Sequence, residues 1–94
     1  MEKLMKDYLE TMSFDVVIDV REEDEYMQGD VKDAILVPLS TINTYQGNKN
    51  DAIAVYCRSG NRSKIAKQAL ETQGYTNVTN IGGVLDQSVQ LTKE

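Results

Sequence analysis

Ninety-four residues suffice for one domain, here residues 1–94, and leave no room for a second core. Ten basic against fifteen acidic side chains give a net charge of −5, which speaks against a nucleic-acid partner, since phosphate backbones are bound by clustered Lys and Arg. No run of about 18 apolar residues is present to span a membrane, and one cysteine with no histidine precludes an internal disulfide and makes a zinc site improbable, so neither a metal nor an organic cofactor is expected.

The first segment, Glu2 to Met12, places Leu4, Met5, Tyr8, Leu9 and Met12 at helical spacing. Its opening residues lack the unbroken apolar stretch of a signal peptide, which points to the cytoplasm; the periplasm stays open, because a removed signal leaves the same trace. Asp15 to Val20 is a short β-branched run suited to a buried strand, and the charged stretch Arg21 to Tyr26 predicts a short helix with acidic residues in its first turn. Ala34 to Pro38 reads as a second buried strand, which Pro38 ends. Ser40-Thr41-Ile42 opens a helical turn, and Gln46 to Asp51 is a loop.

Ala52 to Tyr56 is a third buried strand, running directly into Cys57-Arg58-Ser59-Gly60-Asn61-Arg62-Ser63. A helix from Lys64 to Gln73 follows, with Ile65, Ala66, Ala69 and Leu70 as its core stripe and Gly74 just past its end. Asn77 to Ile81 predicts a fourth strand, and Gly82-Gly83 turns the chain into a last helix carrying Val84, Leu85, Ser88, Val89 and Leu91. Strands alternating with helices at this spacing imply an α/β chain: a small parallel sheet of about four strands, flanked by helices on both faces. Ligands of such sheets bind at the carboxyl ends of the strands. Cys57, Arg21 and Gly82-Gly83 all fall at that edge.

The lone cysteine therefore sits where chemistry is expected. A thiol at a strand end, wrapped by a Gly- and Arg-containing loop that opens a helix, faces inward-pointing backbone N–H groups and a helix N-terminus. Such a setting lowers a thiol from about 8.5 into the range of about 3.5–7.5, and the thiolate is the nucleophile. An inert, buried thiol is the competing reading. Against it, Arg58, Arg62, Lys64 and Lys67 follow Cys57 with no acidic residue among them, in a chain that is acidic overall. That placement suits an anionic substrate.

Four segments, in order, resemble a single-domain rhodanese, a thiosulfate sulfurtransferase-like protein. They are Val17-Ile18-Asp19-Val20-Arg21 with Glu25-Tyr26, Ala34 to Pro38, Val55 to Ser63, and Ile81-Gly82-Gly83. The resemblance implies that the Cys57 thiolate takes a sulfane sulfur from thiosulfate or a persulfide donor and passes it to a thiol, cyanide or protein acceptor. It further implies that Arg58, Ser59, Gly60, Asn61, Arg62 and Ser63 bind the substrate: the loop amides hold the thiolate and persulfide, and Arg58 and Arg62 the donor's oxyanion. Asp19 and Arg21 would brace the loop region through an Arg21–Glu25 pair.

Three positions depart from the family pattern. Asp30 and Asp33 stand where His and Gly are common, so Asp33 is expected in the left-handed backbone region, and Gln87 stands where Trp is common. Other readings remain beside sulfur transfer. One is a persulfide carrier or partner-binding module with little turnover. Another is a cysteine phosphatase or arsenate-reductase-like enzyme, disfavoured because Arg62 gives Cys-x4-Arg, one residue shorter than the Cys-x5-Arg loop that encircles phosphate.

Overall fold

The computed structural model describes residues 3–93. Met1, Glu2 and Glu94 lie outside the described residues, and with them the first residue of the helix expected from Glu2. The elements run α1 (Met5–Thr11), β1 (Val16–Asp19), α2 (Glu23–Met27), β2 (Ile35–Leu36), a 3-10 turn (Leu39–Thr44), β3 (Ile53–Cys57), α3 (Asn61–Thr72), β4 (Val78–Gly83) and a short 3-10 turn (Val84–Asp86). The four strands form one sheet of order β2-β1-β3-β4, and every pairing is parallel.

That order fixes where the cysteine falls. From β1 the chain crosses to one side to make β2, and from β3 it crosses to the other side to make β4. The direction of winding reverses between the neighbouring strands β1 and β3, and a reversal of this kind leaves a crevice at their carboxyl ends. Asp19 and Tyr56 are register partners there, so Cys57 lies one residue beyond the pair.

β3 is buried along its whole length, as a central strand covered on both faces must be. Alternation sorts its side chains. Ile53, Val55 and Cys57 join Ile18, Val20, Ile42, Ala66, Leu70, Tyr75 and Val78 under α3 and the first 3-10 turn. Ala54 and Tyr56 join Met5, Val31, Ala34 and Ile81 on the opposite face, under α1. Each Ile, Val or Leu so buried contributes about 1.5–3 kcal/mol before chain entropy is counted.

Three expectations fail. The second strand, expected to be buried, is two residues at the edge of the sheet, where Ile35 is exposed and Leu36 half-buried, because an edge strand is covered less than a central one. Ile65, expected in the core stripe of α3, is exposed; the buried line is Ser63, Ala66 and Leu70, at intervals of three and four residues. A polar residue thus takes a core position, because it is bonded at the site described below. The last helix does not form. Gln87 turns to φ +58° and ends the 3-10 turn, and the chain runs on to an antiparallel bridge between Thr92 and Asp30. The Asp86 carboxylate is turned to another use, accepting the Met5 N–H at 2.9 Å, while Ser88 Oγ accepts the Lys6 N–H at 3.0 Å. These bonds cap α1 from the far end of the chain. Asp33 does adopt the left-handed region, at φ +66°.

Candidate active site

Cys57 is fully buried at the end of β3, and the backbone turns back over it. The Gly60 N–H donates to Cys57 Sγ at 3.0 Å, and Ser63 Oγ lies 3.5 Å from the sulfur. Burial pushes the thiol up. Donation from the Ser63 hydroxyl and from the N–H groups of Ser63, Gly60 and Ser59 outweighs it, and the net direction is below the ordinary thiol value. The arrangement therefore favours a thiolate, or an anionic sulfur species in its place.

Glycine makes this loop possible at two points. Gly60 caps α3 at φ +100°, which lets the chain reverse into the helix with its N–H on the sulfur. Gly83 lies directly under the loop, where any Cβ would run into the Arg58 carbonyl.

The loop residues divide by surroundings. Arg58 and Ser59 are exposed, and Arg58 makes no ion pair among the described residues. Arg62 is held in a bidentate pair with Glu25 of α2, Nη1 to Oε1 at 2.7 Å and Nη2 to Oε2 at 2.9 Å. That pair pulls the Glu25 carboxyl down to about 2 and raises the Arg62 guanidinium above its usual value. Asn61 is exposed on the first turn of α3.

Asp19 and Arg21 meet each other rather than Glu25, so the expected Arg21–Glu25 pair is replaced by two separate ones. Arg21 grips Asp19 at 2.7–3.0 Å and also donates to the Gly29 carbonyl at 2.7 Å. Tyr56 Oη donates to Asp19 at 2.9 Å and accepts the Val31 N–H at 3.0 Å. Burial works against the Arg21 charge, but Asp19 outweighs it; burial pushes the Tyr56 phenol up. This closed network fixes the ends of β1 and β3 and the segment after α2. Of the family departures, Asp30 is buried at the bridge with Thr92, while Asp33 and Gln87 are exposed in turns.

Two cavities flank the loop. One, of about 400 Å³, is lined by Arg58, Arg21 and Glu25 on a polar side and by Val84, Leu85 and Leu91 on an apolar side. The other, of about 340 Å³, is lined by Ser59, Gly60, Asn61 and Asn80 together with Lys3 and Tyr8 of the N-terminal segment. Asn80 escapes sequence reasoning. Its Oδ1 accepts from Ser63 Oγ at 2.8 Å and from the Gly82 N–H at 3.0 Å, and its Nδ2 donates to the Gly60 carbonyl at 3.2 Å. The partners lie up to twenty residues away and two are backbone groups, so no local pattern marks it.

A buried, amide-cradled thiol at the switch point of a parallel sheet defines a class of α/β proteins that use cysteine on small anions. Residues 2–87 match the family model for the rhodanese-like domain. The thiosulfate sulfurtransferase PspE of Escherichia coli is 42% identical over 73 residues, which cover 73% of this chain and 70% of that protein. A putative mitochondrial thiosulfate sulfurtransferase of Schizosaccharomyces pombe is 37% identical over 72% of this chain and 58% of its own. Among solved structures, a rhodanese with anions from E. coli superposes with a TM-score of 0.75 at 38% identity, covering 84% of this chain and 98% of that one. A rhodanese-related protein from Thermoplasma volcanium gives 0.82 at 27% identity, covering 98% and 97%. The chain belongs to the rhodanese-like family, and the enzyme class it falls in is that of the rhodanese-type sulfurtransferases. No helix among the described residues is long and apolar enough to cross a membrane.

Proposed function

We propose that the chain, as one rhodanese-like domain, moves a sulfane sulfur through a persulfide on Cys57. The observation that carries this reading is the donor set around the sulfur: the Gly60 N–H at 3.0 Å and the Ser63 hydroxyl at 3.5 Å favour an anion there. In the first half-reaction the thiolate attacks the outer sulfur of thiosulfate. The new S–S bond forms as the S–S bond of the donor breaks, and sulfite leaves with the electron pair. An acceptor thiol or cyanide then attacks the outer sulfur of the persulfide and restores the thiolate. Thiosulfate is supported as donor by the names of the E. coli and S. pombe relatives.

Arg58 is the guanidinium free to meet the donor's oxyanion, while Arg62, tied to Glu25, acts by its field and by holding the helix start. Ser59, Gly60 and Ser63 supply N–H groups, and Asn61 lines the cavity on their side. Asp19 and Arg21 brace the strand ends. A thiol that must return to its reduced form suits the cytoplasm.

A second reading is favoured by one relative, a putative sulfur carrier protein of Bacillus subtilis, 33% identical over 69% of this chain and 36% of that protein. On this reading Cys57 loads in the same way but unloads onto a protein thiol.

The test is intact-protein mass spectrometry after brief exposure to thiosulfate, with Cys57→Ser alongside. A gain of one sulfur on the wild type alone, removed by cyanide or a small thiol, is the expected result. No adduct from thiosulfate or other sulfane donors would overturn the reading. Slow release to small acceptors, with rapid release to a protein thiol, would favour the carrier.

A further inference from the structure

The Ser63 hydroxyl has a single proton and two competing claimants. Asn80 Oδ1 lies 2.8 Å from Ser63 Oγ, the usual length of an O–H···O bond, while Cys57 Sγ lies at 3.5 Å. The Gly82 carbonyl, also at 3.5 Å, is a weaker claimant. The geometry is that of a short relay. When the proton faces Asn80, the lone pairs of Ser63 Oγ are left toward the sulfur and can accept a Cys57 S–H. When the proton turns to the sulfur, it stabilises a thiolate, and Asn80 Oδ1 keeps only the Gly82 N–H.

We infer that Asn80 is a positioning residue that draws the Ser63 proton away from Cys57 Sγ, so favouring the thiol and setting the sulfur's proton affinity. The value of such a brake is chemical. The nucleophilicity of a thiolate falls as its proton affinity falls, and the best attacking thiol titrates near ambient pH. A loop that turns the amides of Ser59, Gly60 and Ser63 on the sulfur otherwise risks an over-stabilised, sluggish thiolate. The Nδ2 bond to the Gly60 carbonyl fixes the amide so that Oδ1 faces Ser63. The inference rests on the sulfurtransferase reading only in taking Cys57 as the nucleophile.

Several charged groups stand around Cys57. Arg62 of α3, itself paired to Glu25 of α2, acts on the sulfur through its charge; Arg58 adjoins it in the loop; and Asp19 of β1 and Arg21 just beyond that strand meet Tyr56 on the other face of the sheet. The substitutions that test the inference leave all of these in place.

The test follows the Cys57 13Cβ chemical shift by NMR across pH in the wild type, Asn80→Ala, Ser63→Ala and the double variant, with circular dichroism reporting the fold. Asn80→Ala should lower the Cys57 titration midpoint by roughly half to one pH unit, the worth of one hydrogen bond redirected to sulfur. In the Ser63→Ala background the same change should move it by less than about a third of that, because the coupling runs through the hydroxyl. Asn80→Asp keeps the acceptor and the shape, so its midpoint should not fall below the wild type's, and it serves where Asn80→Ala does not fold. A midpoint unchanged or raised in Asn80→Ala, an equal fall with and without Ser63, or a fall in Asn80→Asp would overturn the inference. The midpoint is read without any sulfur transfer, so failure here is distinct from failure of the thiosulfate experiment.

Discussion

Two arginines share the loop that covers Cys57, and only one of them is tied down. Arg62 is clasped by Glu25, whereas Arg58 reaches the larger cavity with no ion pair among the described residues. The difference predicts a split between binding and stability. Arg58→Ala should raise the thiosulfate KM about ten-fold, the loss of one charge-assisted contact, with the melting temperature unmoved. Arg62→Ala should raise KM by less, and it also breaks a pair whose side chains are 34% and 25% exposed. Such a pair is worth about 0.5–1 kcal/mol after solvent screening, so the melting temperature should fall by about 2–6 °C. Steady-state kinetics and thermal melts of the two variants check this. A KM indifferent to Arg58 would remove it from donor binding.

At the scale of elements, the fit of β4 under the cysteine loop depends on two glycines that serve different ends. Gly82 has open space for a Cβ but sits at φ +98°; Gly83 has an ordinary extended backbone but no space, because the Arg58 carbonyl occupies it. Gly83→Ala should therefore lift the loop off the strand, costing about 1–3 kcal/mol by overpacking and slowing persulfide formation more than the Arg58 change does. A urea melt and a single-turnover thiosulfate assay measure the two effects; a folded variant loading at the wild-type rate would show that the close approach is not needed. What the sequence discloses of this region follows from range. The strand β1 and the loop after β3 are legible because β-branched runs and a Cys-Arg-Ser-Gly stretch carry their meaning locally. The partner of Glu25 is not, since Arg62 lies 37 residues away and Arg21, four residues off, is the nearer candidate. The chain end misleads for the same reason: Val84, Leu85, Val89 and Leu91 suit a helix, but Asp86 is claimed by Met5, 81 residues earlier. Asn80 is silent altogether, as an asparagine in a strand signals nothing until its three partners assemble around it.

For the whole molecule, two carboxylates that folding makes more acidic, Glu25 and Asp86, make stability depend on acid. Glu25 is drawn down to about 2 by Arg62. Asp86 is raised by burial, but its bonds to the Met5 N–H and to Ser88 outweigh that and leave it below the usual carboxylate range. A carboxylate depressed on folding binds its proton more readily in the unfolded chain. Its stabilisation is complete above the unfolded value and is lost as pH falls through the folded one. The loss should therefore begin near 4.5, the unfolded value of Glu25, and continue toward about 2. It ties together parts remote in sequence, since one group holds α2 to α3 and the other holds α1 to the chain end. The protein also crosses its isoelectric point near 4.6 in this window, so the measurement belongs at low concentration, where association does not mask unfolding. Urea midpoints from about pH 7 to 2.5 should be flat at the neutral end and fall below about 4.5. Glu25→Gln and Asp86→Asn should each start from a lower neutral plateau and show a shallower acid limb, whereas Glu10→Gln, an exposed carboxylate outside both networks, should follow the wild type. If the acid limbs of all four proteins run parallel, the acid sensitivity belongs to net charge rather than to these two bonds.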